Sequence, residues 1–172
     1  MNRVVFAIIA GLGSTVAIGA LCLTTHLGSD IVLLMAPFGS SAVILFGLPN
    51  SRYANARNVI AGHCMTALIG VCFVEYLGVS SLTLSIATGL AVTSMLITRL
   101  VHPPAGANPL LIMLTEQSWD FLFTTVLLGT IILVSLAKGM WALKNHYRPE
   151  QIDDGSSDHS EVVKAVVKKT TQ

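Results

Sequence analysis

Charge is what this sequence has least of. Only 11% of its residues are Asp, Glu, Lys or Arg, where a soluble domain carries about 25%. Between Val4 and Ala137 there are seven: Asp30, Arg52, Arg57, Glu75, Arg99, Glu116 and Asp120. So few charges cannot cover a water-facing surface, and a 53% hydrophobic chain implies lipid as its solvent. Cysteine is also sparse. Cys22, Cys64 and Cys72 lie in apolar runs and form no CxxC pair, which argues against a disulfide framework or thiolate metal site. No basic patch interleaved with aromatics is present, so nucleic acid is not an expected partner. A GxSxG turn is missing, and no acid is placed to orient a histidine beside Gly39-Ser40-Ser41. An intramembrane serine hydrolase using His63 or His102 is therefore set aside. The chain reads as non-enzymatic, with no cofactor and no metal.

What is present is apolar sequence in six segments: Val4–Thr25, Ile31–Leu48, Val59–Leu77, Leu82–Val101, Pro103–Leu114 and Trp119–Leu143. Four are near the ~20 residues that cross a hydrocarbon core, the second is slightly short and the fifth clearly so. The first is too long for a signal peptide and lacks a convincing cleavage site, and Leu21 is too bulky for a lipoprotein box at Cys22. If the fifth segment crosses as a broken helix, Arg3, Arg52, Arg57, Arg99, Lys138, Lys144 and Arg148 share one side. Asp30, Glu75, Glu116 and Asp120 then share the other. The positive-inside rule assigns the first side to the cytoplasm, with both termini. The expected fold is an all-α, polytopic transmembrane bundle of six spans occupying residues 1–147. Residues 148–172 turn polar and are expected to form a disordered cytoplasmic tail.

Two proline-glycine interruptions fall in matching spans. Ala36-Pro37-Phe38-Gly39-Ser40-Ser41-Ala42 breaks the second, and His102-Pro103-Pro104-Ala105-Gly106-Ala107-Asn108 opens the fifth. Three spans per half would make the copies an inverted 3+3 repeat, and such paired breaks point to a transporter binding site. Proline frees backbone groups that lipid cannot satisfy, so these segments must face protein or a watered cavity. Half-helix N-termini there would attract an anion, with Ser40, Ser41 and Asn108 as side-chain donors. Kinking and close packing are the simpler alternative for one such break. Pro37, Gly39, Pro103, Pro104 and Gly106 enter the candidate site with these segments.

Ionisable groups at membrane depth complete the candidate set. Arg57, Asn58 and His63 lead into the third span, and Arg99 and His102 end the fourth. An intramembrane ionisable side chain is a functional candidate by default. Helical spacing puts Val59, His63 and Thr66 broadly on one side. His63, with an unperturbed pKa near 6.5, would carry a coupling proton, while Arg57 and Arg99 would draw an anion to the cytoplasmic mouth. The simpler alternatives are snorkelling for the arginines and a hydrogen-bonded core histidine for His63.

Three motifs in order resemble the HPP family of integral membrane proteins. They are Pro37-Phe38-Gly39-Ser40-Ser41-Ala42-Val43, Arg57-Asn58-Val59-Ile60-Ala61-Gly62-His63 and His102-Pro103-Pro104-Ala105-Gly106-Ala107. The likeness runs from about Met35 to beyond Leu110. It implies a bacterial inner (plasma) membrane or plastid location and transport as the activity, plant and cyanobacterial members being associated with nitrite movement. The expected function is thus a transporter or channel for a small inorganic anion such as nitrite, the bilayer and that anion being its partners. A structural or regulatory membrane subunit is the alternative. Self-assembly into a homo-oligomer is one way for so small a chain to enclose a pathway.

Overall fold

The structure, a computed structural model, describes residues 2–26 and 33–143. The Gly28-Ser29-Asp30 turn, Lys144, Arg148 and the expected tail lie outside the described residues. All regular structure among the described residues is helical. α1 runs Arg3–His26, α2 Pro37–Gly47, α3 Ala56–Leu77, α4 Ser81–Thr98, α5 Asn108–Leu114 and α6 Trp119–Leu143. A 3₁₀ turn, Arg52–Ala54, precedes α3, and a second, Pro103–Ala107, leads into α5. Helices α1, α3, α4 and α6 are long and apolar enough to cross a membrane. The second and fifth predicted segments are shorter, and both begin at a proline in the first helical turn, the position where its missing N–H costs least.

Capping explains where the long helices begin and stop. Asn55 accepts from the Arg57 N–H at 3.0 Å to start α3, and Ser80 with Thr83 forms a reciprocal capping box on α4. α4 stops at Arg99, which takes left-handed backbone (φ 58°), while the Leu100 N–H reaches back to the Met95 carbonyl at 3.1 Å. α5 stops the same way: Glu116 has φ 51°, and the Gln117 N–H reaches the Ile112 carbonyl at 2.9 Å. Glycine usually fills this position. Here the residue is charged in both helices and ends each apolar segment.

α3 and α6 form the centre. Of their apolar windows, 39% and 44% of residues are buried, against 17% for α1 and for α4. α1 and α4 instead expose Ile8, Leu12, Val16, Leu90, Leu96 and Ile97, a surface suited to lipid. α5 lies against α3 where Gly70 removes a side chain: a Cβ there would sit 3.1 Å from Pro109 Cα and 3.2 Å from Ile112 Cβ. Phe38, Phe46, Ile112 and Leu133 are enclosed between the helices. α2 and α6 each contain a π-helical turn, Val43–Gly47 and Leu122–Leu128, an irregularity frequent at functional positions. At one end of the bundle Phe6 stacks on Trp141, with ring centroids 5.6 Å apart, and Trp141 Nε1 donates to the Leu45 carbonyl at 3.1 Å. The start of α1 and the ends of α2 and α6 therefore meet there.

Candidate functional site

The two interruptions come together on α3. Ser41, in α2, and His102, just before the second break, meet through Ser41 Oγ and His102 Nε2 at 2.9 Å. The same oxygen lies 2.9 Å from His63 Nε2, so one hydroxyl sits between two imidazoles. Behind His63 stands Asn108, the first residue of α5. Its Nδ2 is 3.0 Å from His63 Nδ1, 3.0 Å from the His63 carbonyl and 3.0 Å from Thr66 Oγ1, and its Oδ1 is 3.3 Å from His63 Nδ1. Behind His102, Nδ1 lies 2.9 Å from the Tyr53 carbonyl oxygen. Ser41, His63, Thr66, His102 and Asn108 are each fully buried. Phe38 meets the His63 ring edge-on, with centroids 5.5 Å apart, and the two imidazole centroids are 5.0 Å apart.

Local geometry explains this convergence. His63 lies seven residues into α3, roughly 10 Å along the axis at 1.5 Å per residue. Thr66, three residues further, shares its face. His102 is extended, at φ −135° and ψ 100°, as residues before proline prefer. Gly62 lets this segment approach α3 closely: a Cβ would sit 3.0 Å from the Leu100 carbonyl oxygen and 3.3 Å from His102 Cβ.

Not every candidate joins the cluster. Pro37 contributes its carbonyl, 3.0 Å from Ser41 Oγ, and Pro104 is buried. Ser40 is exposed, and its hydroxyl donates to the Pro37 carbonyl at 3.0 Å. Gly39 and Pro103 are exposed, and Gly106 is half-buried, near Met95. Arg57 and Arg99 are exposed and lie outside the cluster, and Asn58 binds the Arg52 carbonyl at 3.0 Å. The opening N–H groups of α2 are occupied: Phe38 donates to the Met35 carbonyl and Gly39 to that of Ala36. At the second break Ala105 donates to the His102 carbonyl. Side chains, not open helix termini, thus make the polar junction. Sequence reasoning missed the Tyr53 carbonyl, a main-chain atom whose side chain gives no hint of it. It placed Thr66 beside His63 without recognising a partner of Asn108.

A cleft of about 640 Å³ opens at the other end of the bundle. Met35 and Ala36, directly before α2, line it with Thr115, Gln117, Asp120 and Thr125. Among the described residues no group of His, Cys, Asp and Glu is arranged to hold a metal ion.

Comparison with known proteins places these features in a family. The model of the HPP transmembrane region matches residues 2–149. A transmembrane protein of Dictyostelium discoideum is 33% identical over 128 residues, covering 69% of this chain and 41% of that protein. Another from the same organism is 35% identical over 131 residues, 70% of this chain and 46% of its own length. The chain thus spans less than half the length of these relatives. No solved structure matches it. With the family model covering nearly all of the described chain, the protein belongs to the HPP family of multi-pass membrane proteins.

Proposed function

We propose that this protein carries a small inorganic anion across a membrane, at the junction of its two interrupted helices. The observation that carries the reading is the Ser41 hydroxyl, held 2.9 Å from both His63 and His102 at the meeting of both breaks. Polar, ionisable groups are costly at membrane depth and are kept where they serve a pathway. Gly/Pro-interrupted segments in corresponding places are the usual pointer to a transporter's site. Nitrite is the first anion to test, because the family resemblance nominates it.

The path of the chain supports six crossings in two three-span halves, with α2 and the Pro103–Leu114 segment as the broken second and fifth. On this reading the end bearing Arg52, Arg57 and Arg99 faces the cytoplasm together with both termini, as the positive-inside rule requires, in a bacterial inner membrane or its plastid counterpart. The cleft at Met35, Ala36 and Asp120 gives an approach from the opposite side. A carrier fits better than an open channel, since the cluster is buried and closed by its own hydrogen bonds. The reading is also non-enzymatic. Ser41 and His63 have the spacing of a nucleophile and base, but Ser41 lies within a helix, is fully enclosed and is shared by a second imidazole.

Nitrite uptake into liposomes holding the purified protein tests this. Uptake above protein-free vesicles is expected, reduced at least tenfold by Asn108→Leu in protein that still purifies as a folded species. Absence of uptake for nitrite and for other small inorganic anions would leave the structural-subunit alternative in its place.

A further inference from the structure

The proton positions in the buried cluster follow from the chemistry of its partners. The Tyr53 carbonyl can only accept, so His102 Nδ1, 2.9 Å away, carries a hydrogen. In the neutral ring His102 Nε2 is then a bare acceptor. At the other end Asn108 Nδ2 faces the His63 carbonyl at 3.0 Å, again an acceptor only, which identifies that amide atom as the nitrogen. Thr66 Oγ1, also 3.0 Å from it, gives its own hydrogen to the Gly62 carbonyl at 2.9 Å. Nδ2 thus has two hydrogens for three acceptors, His63 Nδ1 among them. Ser41 has a single hydrogen, which the bare His102 Nε2 takes, so His63 Nε2, 2.9 Å from the same oxygen, is the donor and the neutral His63 carries its hydrogen there. Ser41 accepts from His63 and donates to His102. The bonds run one way, from Asn108 through His63, Ser41 and His102 to the Tyr53 carbonyl, with both rings neutral and in opposite tautomers.

An added proton is accommodated unequally by the two rings. On His63 it would have to sit on Nδ1, facing the Asn108 amino group at 3.0 Å, with the amide oxygen further off at 3.3 Å. On His102 it sits on Nε2, which then donates to Ser41 Oγ. Ser41 needs only to rotate its own hydrogen to the Pro37 carbonyl, 3.0 Å away. Every polar atom keeps a partner. Among the described residues no compensating charge adjoins the site: His63 is the other ionisable group in contact, and Cys64 is its half-buried neighbour on α3. Tyr53 contributes main chain while its hydroxyl accepts from Arg52 at 2.8 Å. Arg57 and Arg99 are exposed, Glu116 and Asp120 lie toward the opposite end, and α2 and α5 carry no charged residue.

We propose that His102 is the proton-carrying group of this site, that Ser41 is the rotating switch which accommodates the proton, and that the resulting positive charge is what holds the anion. One proton from water and one monovalent anion then enter together, so the occupied site is neutral overall and transport is an electroneutral one-to-one symport. The inference rests on the anion-carrier reading for its anion, and it moves the proton from His63, the sequence candidate, to His102.

The test combines a measurement independent of transport with one that depends on it. Nitrogen-15 solid-state NMR of histidine-labelled protein in lipid vesicles, assigned with His63→Gln and His102→Gln, is expected to show opposite neutral tautomers. His63 would be protonated at Nε2 and His102 at Nδ1. Acidification with saturating nitrite is expected to protonate His102 doubly while His63 stays neutral. Identical tautomers, or His63 protonating first, would overturn the assignment. In liposomes with a trapped pH indicator, one proton is expected per nitrite, and His102→Gln is expected to lower gradient-driven uptake at least tenfold. Nitrite uptake without proton movement would overturn the coupling and leave the carrier reading intact. Correct tautomers without any anion uptake would overturn the carrier reading and the coupling, leaving His102 as a proton site alone.

Discussion

Asn108→Leu separates a structural bond network from a decorative one. Asn108 Nδ2 faces three acceptors at 3.0 Å but has two hydrogens, so it makes two full bonds' worth of contact. Leucine is close in volume, which keeps a cavity term out of the comparison. After the change the Thr66 hydroxyl keeps its hydrogen on the Gly62 carbonyl at 2.9 Å and shares it with the His63 carbonyl at 3.2 Å. Only His63 Nδ1 loses its partner outright. In a water-soluble protein that orphaned acceptor alone would cost about 1–3 kcal/mol. In a bilayer the unfolded helices also find partners, and interhelical hydrogen bonds couple by about 0.6 kcal/mol on average and about 1.7 at most. Two such bonds set the expected loss at about 1–2 kcal/mol. Equilibrium unfolding in mixed micelles of Asn108→Leu, His63→Leu and the double variant measures the pair directly. A coupling of about 0.6–1.7 kcal/mol is expected. Single losses that add to within about 0.3–0.5 kcal/mol would refute the claim that this contact is energetically real.

Two further outcomes follow from the packing and the path of the chain. Gly70→Ala places a Cβ against Pro109 and Ile112 at 3.1–3.3 Å and is expected to cost about 1–3 kcal/mol. Gly89→Ala meets nothing within 4 Å and is expected to be neutral or to stabilise by up to about 1 kcal/mol; equal effects on the unfolding midpoint would contradict the α3–α5 contact. In a cysteine-free background, Asn50→Cys and Ser118→Cys, both exposed positions, are expected to react with an impermeant thiol reagent from opposite sides of the membrane. Labelling from one side would rule out the six-crossing path.

The membrane character and the positions of both breaks were legible because they depend on local properties: apolar run length, and proline's missing donor. Pro37 and Pro103 do open helical turns, as the motif spacing suggests. The meeting of the breaks was legible only as a symmetry argument, since Ser41 and His102 are 61 positions apart in sequence and nothing local links them. Span lengths were less well drawn. In the second segment, expected over Ile31–Leu48, the helix among the described residues runs Pro37–Gly47. Residues 33–36 approach it without regular structure apart from a turn at Ala36, whose backbone is already helical (φ −53°, ψ −41°).

The sequence also weighed arginine and histidine alike as intramembrane candidates, and their separation is a matter of protonation. A guanidinium cannot shed its proton in a protein, so burying Arg57 or Arg99 without a carboxylate would leave an uncompensated charge. Both are exposed. Arg99 instead closes α4 in left-handed backbone, where a cation beside the helix C-terminus is favourable. Histidine can enter neutral, provided each ring nitrogen finds a partner, and the cluster supplies four: Ser41 twice, Asn108 and the Tyr53 carbonyl. The groups that remain inside are thus those whose charge is conditional. On the carrier reading proposed above, a site neutral when empty stays closed between helices and needs an anion only once a proton has arrived. That condition, and not a standing ring of positive charge, is what this buried arrangement can provide.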